Sequence, residues 1–181
     1  MIYRSLSEID KKYNIIYADP PWKYHVMDAT PYQTMELGDI SSLPIQKILD
    51  KNCYLFMWVT MPCIPEGLEL IKSWGFEYKT TAFVWVKRTM QGNAWFLGQG
   101  YYTRSNTELC FLATKGHLNV ISHGVRQIIE SRIGEGHSVK PHGVRDRIVD
   151  LLGDIPRIEL FARQSIPGWD CWSIDDVQFG L

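Results

Sequence analysis

Tyr13-Asn14-Ile15-Ile16-Tyr17-Ala18-Asp19-Pro20-Pro21-Trp22 opens as an apolar run and closes on an acid, two prolines and an indole. A near-continuous apolar segment with so little polar relief is the pattern of a strand buried on both faces of an α/β sheet. Proline cannot extend a central strand, so the chain must leave the sheet at Pro20. In open α/β folds ligands bind beyond the carboxyl ends of the strands. One strand end therefore offers a carboxylate, a stiff backbone turn and a flat aromatic face, and this combination marks the expected active site.

Working outward, residues 53–59, 76–86, 107–114 and 157–162 are further apolar runs of strand length. Between them, residues 65–74 place Leu68, Leu70 and Ile71 at helical spacing and end at Gly75. Pro141 followed by Val144, Ile148, Val149, Leu151 and Leu152 predicts an amphipathic helix ending at Gly153. Residues 38–51 carry weaker helix signals, with Asp39 or Ser41 as caps and Pro44 near a start. Residues 124–133 fit a strand or a helix, and residues 1–12 and 166–181 carry no regular pattern. Strands alternating with helices predict an α/β fold: a mostly parallel sheet with helices on both faces. The expectation is a single domain over residues 1–181, without a separate target-recognition domain.

Composition narrows the function classes. A formal net charge of -1 argues against coating nucleic acid by bulk electrostatics but allows a local basic patch. Cys53, Cys63, Cys110 and Cys171 form no C-x-x-C pair, so neither a zinc site nor a disulfide framework is expected. The five histidines show no metal spacing, and His137 and His142 read as loop residues. No leader pattern or bilayer-length apolar run is present, so a cytoplasmic protein without membrane contact is expected.

An acid-Pro-Pro-aromatic turn suits methylation of an amine conjugated to a ring. Such an amine is a poor nucleophile because its lone pair is delocalised. A carboxylate and a backbone carbonyl that accept its two N–H bonds favour a pyramidal nitrogen with the lone pair free. Asp19 and the Pro20 carbonyl suit this task, with Pro21 stiffening the turn and Trp22 stacking on the base. Transfer then rests on positioning and electrostatics.

These residues, in context, resemble the MT-A70 family of S-adenosylmethionine-dependent adenine N6-methyltransferases. The resemblance runs from Tyr13 to Trp172. Its pieces are Ala18-Asp19-Pro20-Pro21-Trp22, Pro31-Tyr32-x-Thr34-Met35, Leu55-Phe56-Met57-Trp58-Val59-Thr60, Trp74-Gly75-Phe76 and Trp85-Val86-Lys87. Glu108 through Lys115-Gly116, Ser138-x-Lys140-Pro141, Ile158-Glu159-Leu160-Phe161-Ala162-Arg163 and Pro167-Gly168-Trp169 continue it. The resemblance implies a Rossmann-like methyltransferase of permuted motif order with S-adenosylmethionine as cofactor. It also implies that Asp19 to Trp22 hold the target amine and base and that Tyr32 lines the base pocket. Asp19, Lys115, Glu159, Phe161 and Arg163 fall on cofactor-contacting positions. Where the family carries Gly-Asn-Gln/Glu near its end, this chain has Ser173-Ile174-Asp175.

Residues 78–107 contain Lys79, Lys87, Arg88 and Arg104, no acid, and seven aromatics including Trp95, Tyr101 and Tyr102. Basic side chains among aromatics suit phosphate contact and base stacking, so Lys87, Arg88 and Arg104 are read as substrate contacts. Together these readings favour adenine methylation in DNA on a flipped or single-stranded base. RNA is the main alternative substrate, and a catalytically silent nucleic-acid-binding subunit the alternative class. Family pairs suggest a homodimer or a related partner subunit.

Overall fold

The computed structural model describes residues 1–23, 33–100, 102–133, 140–141, 143–174 and 178–179. In chain order the elements are β1 (Ile2–Tyr3), β2 (Tyr13–Ala18), α1 (Leu37–Ser42), β3 (Leu49–Val59), α2 (Ile64–Ser73), β4 (Glu77–Arg88) and β5 (Thr107–Lys115). They continue with β6 (Ile128–Arg132), α3 (Gly143–Leu152), β7 (Arg157–Leu160), β8 (Gln164–Ser165), β9 (Asp170–Trp172) and β10 (Gln178–Phe179). Among the described residues one sheet runs β1-β9-β7-β2-β3-β5-β4-β6, with β8 and β10 as a separate pair.

β2 lies at the centre because both of its faces are apolar. Ile16 and Ala18 pack with Leu55, Met57, Ile158 and Leu160 on the side covered by α1 and α2. Ile15 and Tyr17 pack with Phe56, Trp58 and the α3 residues Val144 and Ile148 on the other side. Helices therefore cover both faces, as the alternating pattern predicts. Val144, Ile148 and Leu152 are all buried. Each contributes about 1.5–3 kcal/mol of burial, enough to fix a short helix that would be marginal alone.

β2 pairs in parallel with β3 and β7, and β9 and β1 extend the parallel side. β5 is the exception: among the described strands it alone runs antiparallel to its neighbours, β3 and β4. Residues 128–132, ambiguous in sequence, form a strand parallel to β4. α1 ends at Ser42, just before Pro44, and β3 already begins at Leu49, so the weak helix expected over 38–51 is much shorter. α2 closes as expected at a left-handed glycine, Gly75, with φ of 76°.

The chain leaves β2 toward β3 on one side, whereas β7 enters from α3 on the other. The ends of β2 and β7 therefore flank a topological switch point, where ligands of open α/β sheets bind.

Candidate active site

Asp19 follows β2 at this switch point. Pro20 is buried, and its carbonyl accepts from the Trp22 amide at 2.9 Å, which draws the turn tight. The carbonyl keeps a second lone pair for another donor. The Pro21 carbonyl accepts from the Met35 amide, also at 2.9 Å.

Trp22 is placed differently from the stacking platform expected of it. It is 6 % exposed, packs in the core on the α1 and α2 side, and donates its indole N–H to the Trp58 carbonyl at 3.0 Å. Its role in this arrangement is to anchor the turn to β3. Tyr32, the other aromatic assigned to the base, lies outside the described residues, as do Tyr101, His137, His142 and Asp175.

The Asp19 carboxylate meets a lysine that the site assignment from sequence missed. Lys140 Nζ lies 2.7 Å from Asp19 Oδ2 and 3.3 Å from Glu108 Oε2. Glu108 opens β5, and its other oxygen is 2.5 Å from Lys87 Nζ. Four charges of alternating sign thus run Asp19, Lys140, Glu108, Lys87 across the edge where β2 ends. The Lys140 ammonium also sits 5.7 Å over the Trp58 ring.

Burial pushes the Asp19 carboxyl upward, and Lys140 only partly pulls it back. Burial pushes Glu108 the same way, but Lys140 and Lys87 outweigh it and hold this carboxyl below its usual range. Lys140 is raised: burial works against its charge, and the two carboxylates more than offset that. Glu108 Oε2 is buried and, despite Lys140 nearby, makes no hydrogen bond of normal geometry among the described residues.

On the β7 side, Phe161 holds a φ of 60°, unusual for a residue with a side chain. It turns the chain out of the sheet, and its ring packs edge-on against Trp172 at 5.2 Å. Such strain costs about 1–3 kcal/mol and concentrates at ligand sites. Arg163 is exposed just beyond and acts electrostatically on Asp19.

Of the residues assigned to the cofactor, one is carried away from this crevice and another reaches its edge already paired. Lys115 ends β5, and because β5 is antiparallel that end pairs with Cys53 at the opposite end of the sheet. There Lys115 donates to Gln46 Oε1 at 3.1 Å. Glu159 lies next to the crevice, but both its oxygens are taken by Arg145 of α3, at 2.6 and 2.7 Å. Arg145 also faces the Tyr17 ring, so this pair ties α3 to β2 and β7.

The basic residues of 78–107 are also partly committed. Lys87 turns inward to Glu108. Arg88 pairs with Glu130 of β6 and lies 3.5 Å over the Trp95 ring. Arg104 is exposed. Trp95 and Tyr102 remain 45 % and 92 % exposed on the loop between β4 and β5, which projects from the edge that carries Asp19.

The MT-A70 family model matches residues 13–175, from the start of β2 past the end of β9. The chain belongs to the MT-A70 family. This match takes in every residue of the charge chain and both strand ends of the crevice, so the permuted, Rossmann-like methyltransferase fold follows from membership as well as from topology.

Among curated MT-A70 relatives, the chain is 35 % identical over 190 residues to the Type II methyltransferase M.MunI of Mycoplasma sp, covering 91 % of this chain and 78 % of that protein. It is 29 % identical over 154 residues to the N(6)-adenosine-methyltransferase catalytic subunit METTL3 of Homo sapiens, covering 84 % of this chain and 26 % of that protein. The MT-A70-like protein of Drosophila melanogaster is 28 % identical, with 24 % of its length covered. Adenine N6-methyltransferase chemistry is thus the family setting of the Asp19 turn. Among the described residues no helix is long and apolar enough to cross a membrane.

Proposed function

We propose that this chain transfers a methyl group from S-adenosylmethionine to the 6-amino group of adenine in DNA, acting on a flipped or single-stranded base. The observation that carries this reading is the Asp19 carboxylate. It ends a buried parallel strand in a proline-stiffened turn, paired through Oδ2 to Lys140, with no hydrogen bond on Oδ1 among the described residues.

Asp19 Oδ1 and the Pro20 carbonyl accept the two N–H bonds of the target amine. This draws the nitrogen toward a pyramidal geometry, and the fixed turn spares reorganisation during the reaction. S-adenosylmethionine supplies an electrophilic methyl group on a positively charged sulfur. The crevice residues suit such a donor. Asp19 and Glu108 place two carboxylates around a single lysine, and Glu108 Oε2, buried 3.3 Å from it, meets no other donor among the described residues. Lys140 suits the donor's carboxylate, Phe161 its apolar surface, and Arg163 its sugar hydroxyls. In-line transfer then forms the N–C bond as the C–S bond breaks, releases a neutral thioether, and sends the surplus amine proton to Asp19 or solvent, with no covalent intermediate.

The coverage of M.MunI, three quarters of that protein against a quarter of METTL3, favours DNA. Arg88, Arg104 and Trp95 on the rim serve as phosphate and base contacts, which suits a strand whose target has left the stack. RNA is the second reading, supported by the METTL3 similarity.

The test is transfer of labelled methyl to DNA and RNA oligonucleotides, followed by nucleoside analysis. N6-methyladenine from DNA, lost in Asp19→Ala, is expected. Label in RNA alone selects the second reading. No label in either polymer, with normal cofactor binding, makes the chain a silent partner subunit. Replacing Arg88 and Arg104 together by Ala is expected to weaken DNA binding and flatten its salt dependence; unchanged binding removes them from the interface.

A further inference from the structure

Glu108 lies outside the turn that names the chemistry, yet it occupies the catalytic edge. It gets there because β5 is antiparallel, so that its first residues meet the carboxyl ends of β2 and β3. Glu108 is 6 % exposed, and a buried carboxylate needs compensation. Lys87 provides it through Oε1 at 2.5 Å. Were Glu108 only a fold-stabilising acid, that pair would suffice. Instead Oε2 is aimed at Lys140, 3.3 Å away, with no other donor among the described residues.

The consequence for charge is direct. Lys140 paired with Asp19 alone would be a neutral unit. Without Glu108, Asp19, Lys140 and Lys87 would leave one net positive charge at this edge; with it the four sum to zero. A donor with a positively charged sulfur gains when Glu108 cancels that positive charge, whereas a product with a neutral sulfur does not.

We propose that Glu108 is a positioning residue of the methyltransferase site, sharing Lys140 with Asp19 so that the crevice favours a sulfonium donor over its thioether product. This rests on the methyltransferase reading above. Glu108 acts through Lys140 and does not touch the transferred methyl.

Calorimetric titration of S-adenosylmethionine and S-adenosylhomocysteine into the whole chain tests it. The two ligands differ by the sulfur charge and its methyl group, so a packing defect alters both affinities while a charge defect alters their ratio. Glu108→Gln keeps the shape and removes the charge. It is expected to shift the affinity ratio about tenfold toward the thioether, with thioether affinity little changed. Glu108→Asp is expected to keep most of the wild-type ratio. Lys87→Met removes a positive charge from the far side and is expected to shift the ratio toward the sulfonium.

Equal loss of both affinities in Glu108→Gln, or an unchanged ratio, overturns the proposal. If Glu108→Gln does not fold, the Lys87→Met ratio decides: a shift toward the sulfonium supports it and no shift overturns it. Failure of the wild-type chain to bind either ligand overturns the methyltransferase reading itself, and this proposal with it.

Discussion

Lys140 Nζ and Asp19 Oδ2 lie 2.7 Å apart although 121 residues separate them in the chain. The contact joins the segment leading into α3 to the end of β2, so the proposed catalytic carboxylate meets its partner only when the two halves of the fold close. Lys140 is 8 % exposed in its side chain and Asp19 21 %, which leaves the acid reachable and its partner enclosed.

Asp19→Asn retains the size of the acid and removes its charge. A drop in kcat of about 10²–10³ is expected, the range for loss of one preorganised electrostatic contact to a reacting group. Cofactor binding measured by titration is expected to persist, which separates the chemical defect from unfolding.

Lys140→Met leaves Asp19 and Glu108 facing each other without their shared cation. A loss of about 3 kcal/mol is expected in denaturant unfolding, the lower part of the range for breaking a buried pair, because Asp19 is still partly solvated. Lys140→Arg is expected to recover most of that stability.

Arg145 and Glu159 are both nearly buried and bonded at two points. Arg145→Met alone is expected to cost about 3–5 kcal/mol by stranding a buried carboxylate. Combined with Glu159→Leu, most of the loss is expected to return, since an apolar pair of similar volume avoids the desolvation cost. Urea unfolding of the single and double variants measures the coupling.

Asp170 accepts from the Met1 amine at 2.6 Å, Tyr13 at 2.8 Å and Lys11 at 3.0 Å. Burial works to raise its carboxyl, but these donors prevail and hold it below the usual value. Its folded state therefore binds the proton less readily than the unfolded chain does. The stabilisation is fully present above the unfolded value, about pH 4, and is lost as pH falls through the folded one. Asp170→Asn is expected to lower stability by about 1 kcal/mol at pH 7, a modest figure because its cationic partners are largely exposed. The gap between variant and wild-type Tm is expected to close in acid.

The central strand and its turn were legible because Ile15, Ile16, Tyr17 and Ala18 leave no polar face, and the prolines mark where the strand must stop. Direction was not legible. The apolar run of residues 107–114 reads alike whether parallel or antiparallel; the family resemblance sets Lys115 among the cofactor contacts, whereas the antiparallel pairing brings Glu108 to the crevice and takes Lys115 to the other end. Aromatic residue type was equally silent on exposure: Trp22 and Trp95 are both indoles beside strand ends, yet the first is core and the second open to solvent. β1 and β9, two and three residues long, are too short to carry a period and exist through pairing with each other and with β7. Lys140 and Glu108 carried faint signals, a lysine before a helix-starting proline and an acid opening an apolar strand. Only their meeting gives either one meaning.

The reversal of β5 also separates two tasks along the chain. Because β4 ends and β5 begins at the catalytic edge, residues 89–106 form a surface excursion anchored between Arg88 and Thr107. Its base is tied by backbone bonds from Thr89 to Ala94, Phe96 to Lys87 and Gly98 to Ser105. Length added beyond these ties costs little, about 0.6 kcal/mol of closure entropy per doubling of a flexible loop. A graft in this interval changes what approaches the rim while Asp19, Lys140 and Glu108 stay in place. On the function proposed above, target preference is thus an exchangeable part, carried by one contiguous insert outside the chemistry it serves.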